Sequence, residues 1–71
     1  MKREKVSSST MNSVDYSAGE KILEIEFSSG DVYHYFNVPS TVYERLMNAP
    51  SHGQYFNIYI KDAGFHFEKI T

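Results

Sequence analysis

Three histidines, His34, His52 and His66, and nine carboxylates raise metal binding and acid–base catalysis as the first chemistry to test against this chain. A tetrahedral metal site is usually seeded by two ligands close in sequence, on one helix face or in a Cys-x-x-Cys turn. No histidine stands three or four residues from another, and there is no cysteine. The sequence therefore assigns no metal and no cofactor. A covalent mechanism would need a nucleophile beside a base. The serines crowd "SSST" at residues 7–10 and the turn segments "SSGD" and "SHGQ", where turn-making and capping explain them. Gly19, Gly30, Gly53 and Gly64 are spread one per turn, so no phosphate-cradling loop is present. A domain of this length is also expected to leave little room for a substrate pocket of about 300 Å³. The sequence points to a protein that is not an enzyme and has no small-molecule substrate.

The remaining chemistry is recognition. In "VYHYFNVP", residues 32–39, Tyr33 and Tyr35 flank His34. In a strand, alternate side chains share a face, so the two phenol rings stand side by side. They can serve as a stacking platform for nucleobases, each worth about 1–3 kcal/mol per base, or as core. A small core needs aromatic area, which favours packing with hydroxyls kept wet. Asn57, in an aromatic-rich segment, can hydrogen-bond a partner or tie helix to loop. Lys61 and Lys69, with Arg45, can form a cationic area if the second helix and the last strand are neighbours. The candidate partner-binding residues are thus Tyr33, Tyr35, Asn57, Lys61 and Lys69.

These residues need elements to hold them. "MNSVDY" predicts a strand with Val14 and Tyr16 on one face, turned by "SAGE". In "KILEIEF", Leu23, Ile25 and Phe27 alternate with Glu24 and Glu26, the pattern of a half-buried strand. The next turn decides which face the tyrosines join. A two-residue Ser29-Gly30 loop would pair Phe27 with Val32 and put both tyrosines beside the glutamates. A three-residue Ser28-Ser29-Gly30 loop pairs Phe27 with Asp31 and puts them beside Leu23 and Ile25. The second is preferred because it places glycine where φ must be positive. "PSTVYERLMNAP" predicts a helix capped by Ser40 or Thr41, with Thr41 and Glu44 at capping-box spacing, and with Val42, Tyr43, Leu46 and Met47 on one face. Ser51 to Gln54 offers a second capping box, which favours a short helix over a strand for "YFNIYIK". "FHFEKI" predicts a last strand. The fold class is α+β: a small antiparallel sheet of three to four strands, with one or two short helices packed on one face.

Seventy-one residues hold one domain. At this size folding buries only about 60% of the surface that the unfolded chain exposes. Without disulfides, six Tyr and five Phe must supply the core. Residues 1–7 are expected to be a flexible lead and residues 8–71 the domain. The net charge is −2; the opening "MKREK" holds three cations and one carboxylate, a net +2, which leaves −4 on the rest. An acidic body repels phosphate unless a local basic patch exists. No apolar run is long enough for a membrane span or signal segment, and a soluble cytoplasmic protein is expected.

In order along residues 7–70, the serine lead "SSST", the hairpin "LEIEFSSGDVYHYFNVP", the helical "VYERLMNAPS" and "SHGQYFN" resemble the KTSC domain. That family is named for C-terminal segments of lysyl-tRNA synthetase and includes small free-standing bacterial proteins. Phe65 and Phe67 stand where the family often has tyrosines. The resemblance implies a weak RNA- or tRNA-binding accessory module; an acidic body favours the alternative, a protein-interaction or structural module that binds no nucleic acid. The two differ in salt dependence.

Overall fold

The computed structural model describes residues 4–5 and 11–71. Among these residues five antiparallel strands form one sheet in chain order: β1 (Glu4–Lys5), β2 (Met11–Ser17), β3 (Ile22–Phe27), β4 (Val32–Tyr35) and β5 (Phe67–Lys69). Two helices, α1 (Ser40–Asn48) and α2 (His52–Tyr59), are inserted between β4 and β5 and pack on one face. The α+β class is as the sequence predicts, and β2 to β5 are its four strands. The two-residue β1 falls within the expected lead, opposite Val14 and Ser13 of β2. The other lead residues, 1–3 and 6–7, lie outside the described residues.

The β3–β4 hairpin has the three-residue loop. Phe27 N–H donates to the Asp31 carbonyl at 2.8 Å and Gly30 N–H donates to the Phe27 carbonyl at 2.9 Å. Gly30 has φ +96°, a conformation a Cβ would strain. Ile25 therefore faces Tyr33 and Leu23 faces Tyr35. One residue of slip would have turned both rings to the other face. In β2 the alternation is broken by a bulge between Met11 and Ser13, with Asn12 exposed. The bulge brings Met11 opposite Phe27 and into the core with Val14, a shift that simple alternation does not foresee.

The core consists of Met11, Val14, Leu23, Ile25, Tyr35, Val38, Leu46, Phe56 and Ile60. From α1, Leu46 is buried and Tyr43 stacks on Tyr16, with ring centroids 4.8 Å apart and planes 10° from parallel. The Tyr16 hydroxyl donates to the Val38 carbonyl at 2.6 Å. The start of α1 differs from expectation. Pro39 is its N-cap, with φ −64° and ψ 150°, and among the described residues no side chain caps the helix. Proline's fixed φ suits the extended backbone of a cap position, and its carbonyl accepts from Val42 N–H at 3.0 Å. Ser40 and Thr41 are already inside the helix, so the Thr41–Glu44 box does not form. At α2 the expected cap is present: Ser51 Oγ accepts from Gln54 N–H at 3.3 Å.

The opposite face of the sheet is polar. Across it the register aligns Asp15, Glu24, His34 and Glu68. His34 Nε2 lies 2.8 Å from Glu24 Oε1 on the neighbouring strand.

Candidate binding cleft

Two helices of nine and eight residues are only about 12–14 Å long, while five strands span roughly 19 Å. Both helices cannot cover the whole apolar face. What they leave open, beside β4 and β5, is a cleft of about 470 Å³. This corrects the expectation that so small a domain lacks room for a pocket: helix length, and not chain length alone, sets the space.

Aromatic rings floor the cleft. Tyr33 and Tyr35 lie with centroids 6.4 Å apart and planes at 29°. Phe56 of α2 meets Tyr35 and Phe27 edge-on, each at 5.4 Å. Phe67 of β5 leans on Tyr35 at 5.4 Å and on Tyr33 at 6.0 Å. Tyr35 is 5% exposed, so it is core as well as floor. Burial, and secondarily the neighbouring Tyr33, pushes its hydroxyl up to about 12. Tyr33 is half-buried, and Phe67 is 53% exposed.

Polar groups rim this floor. Asn57 and Lys61 line one side, from α2 and the turn after it. Ile60 leaves the helix with φ −122°, Lys61–Ala63 make a single 3-10 turn, and Gly64 reverses the chain with φ +87°. Lys61 forms no ion pair among the described residues. On another side stand Ser28, Ser29 and Asp31 from the hairpin turn, with Ser29 Oγ 3.3 Å from Asp31 Oδ2.

Four of the five candidates read from the sequence therefore line one cleft: Tyr33, Tyr35, Asn57 and Lys61. Lys69 does not line it. It sits opposite Tyr33 on β5, with Nζ 3.5 Å from Asp31 Oδ1. Arg45 is exposed on α1 and does not line the cleft either. Phe27, Phe56 and Phe67 are cleft residues that sequence reasoning did not single out. Phe67 had the alternation of "FHFEKI" and its place in the family pattern to mark it; its pairing with Tyr35 is a long-range register. The histidines are scattered: His52 Nε2 lies 3.4 Å from the Met47 carbonyl, and His66 Nε2 lies 3.4 Å from Glu68. Among the described residues no cluster of three or more His, Cys, Asp or Glu is placed to hold a metal ion, and no helix is long and apolar enough to cross a membrane.

Residues 7–65 match the KTSC domain family, and the protein belongs to it. An uncharacterised protein of Stutzerimonas stutzeri is 40% identical, with 99% of each chain covered. The crystal structure of a KTSC domain protein from Yersinia pestis superposes with a TM-score of 0.93 at 36% identity, covering 99% of this chain and 97% of that one. A lysine-tRNA ligase of Nostoc punctiforme is 48% identical over 63 residues, which are 89% of this chain and 11% of the ligase. The chain thus spans about a tenth of the length of the ligases it matches.

Proposed function

We propose that the protein is a non-catalytic accessory module that binds single-stranded RNA weakly, tRNA included, by taking one unstacked base into the cleft. The observation that carries this reading is the convergence of Tyr33, Asn57 and Lys61 on an aromatic floor. A base offers a flat π-face to rings and a polar edge to groups such as Asn57, Asp31 and Ser29. Lys61 supplies a cation for the adjoining phosphate. Its likeness to a segment of a tRNA ligase supports a role near tRNA, and we propose the cytoplasm as its location.

Few charges help such binding. Lys69 already has Asp31 beside it, so about one phosphate, at Lys61, is neutralised, and log affinity should fall against log salt with a slope of about −0.7. Titrating labelled tRNA and a short single strand at two salt concentrations tests this. Lys61→Glu and Asn57→Ala are expected to abolish binding without changing the melting temperature. An absence of binding to any strand at low salt would remove RNA. The competing reading, a protein-interaction module, is favoured by the exposed Ile58 and Tyr59 on α2, each 54% exposed; it predicts a partner whose binding survives moderate salt.

A further inference from the structure

Strand β5 is an edge of the sheet. Phe36 N–H donates to the His66 carbonyl, and Ile70 N–H donates to the Val32 carbonyl. Even-numbered residues of this segment therefore direct their backbone groups at β4, and Phe67 and Lys69 direct theirs outward. We propose that this edge pairs with the same edge of a second copy of the chain, antiparallel about a two-fold axis at Phe67.

Like charges disfavour the registers one and two residues further along the strand. With the axis at Phe67, His66 stands opposite Glu68 of the second copy and each Phe65 opposite a Lys69. Moving the axis to Glu68 would set two carboxylates face to face, and moving it to Lys69 would oppose two ammonium groups. Edge strands are commonly guarded by an outward lysine. Here the Lys69 ammonium is drawn back over the sheet to Asp31, 3.5 Å away. Phe67, half exposed at the rim of the cleft, would be covered at the seam. Because such a two-fold axis runs perpendicular to the sheet, both clefts open on the same side of one continuous sheet. A dimer would present two sites to one ligand. The pairing does not depend on what the clefts bind.

Sedimentation equilibrium of the full chain up to millimolar concentration tests this. A concentration-dependent dimer is expected. Lys69→Pro deletes an outward N–H without touching the β4 ladder and should leave a folded monomer. His66→Glu should also give a monomer, and the double variant His66→Glu/Glu68→Lys should regain the dimer. A wild type that sediments as a monomer throughout, or a dimer indifferent to both the proline and the charge exchange, would overturn the proposal.

Discussion

Two tyrosine pairs lie on the helix-facing side of one sheet, and they differ in what closes over them. Tyr16 is capped by Tyr43 of α1 in a near-parallel stack, and its hydroxyl is held by the Val38 carbonyl. Tyr35 is buried and meets Phe56 of α2 edge-on, while the half-buried Tyr33 beside it packs on Phe27 and Phe67 and lines the cleft. The same residue type thus forms a ring stack with a helix in one region and part of a cleft floor in the other. The difference lies in the reach of the covering helix, not in the strand that carries the ring.

The largest test of this contrast is between neighbours. Tyr35→Ala removes a buried ring and should cost about 3–5 kcal/mol, lowering the melting midpoint by more than about 10 °C. Tyr33→Ala, from a half-buried site, should cost about 1–2 kcal/mol and abolish cleft binding. Thermal melts followed by circular dichroism will show whether the two separate; equal losses would mean that the cleft floor is ordinary core.

Alkaline pH sharpens the comparison further. Burial raises the Tyr35 hydroxyl to about 12, against 10 for an exposed tyrosine, and desolvation raises Tyr16 as well. The unfolded chain therefore loses these protons first. The stability they contribute is intact below pH 10 and is lost as pH climbs toward 12. Tyr35→Phe keeps the ring and should flatten that decline in denaturant titrations across about pH 9 to 12.

The hairpin that aims both rings depends on Gly30, where a methyl group would meet nothing within 4 Å but φ is +96°. Gly30→Ala should cost about 1–2 kcal/mol through backbone strain alone. Gly19, with equal space and no positive φ, should accept alanine with a change of under about 0.5 kcal/mol in chemical denaturation. A stability effect as small belongs to the rim: Lys61→Glu should stay within about 0.5 kcal/mol of wild type while RNA binding is lost.

Much of this was legible beforehand, for reasons that can be named. Alternation in "KILEIEF" marks β3 because period two has one interpretation when charges interleave the apolar residues. The glycine position in "SSGD" fixed the loop length, and with it the face of Tyr33 and Tyr35. Ser51 with Gln54 identified α2 where hydrophobic periodicity was ambiguous. The cap of α1 was misassigned because three adjacent residues, Pro39, Ser40 and Thr41, all suit a helix start, and spacing alone does not choose among them. The bulge at Asn12 carries no composition signal; it shows only in the register that sets Met11 opposite Phe27.

Local chemistry determined the strands, both helices and the turn that sets the tyrosine face, because each depends on residues within a few positions of one another. Only the tertiary structure decided that a cleft exists and which residues share it. Phe27, Tyr33, Asn57, Lys61 and Phe67 come together through strand register and the limited span of two short helices. Those are distances across the molecule, and no local stretch of sequence encodes them alone.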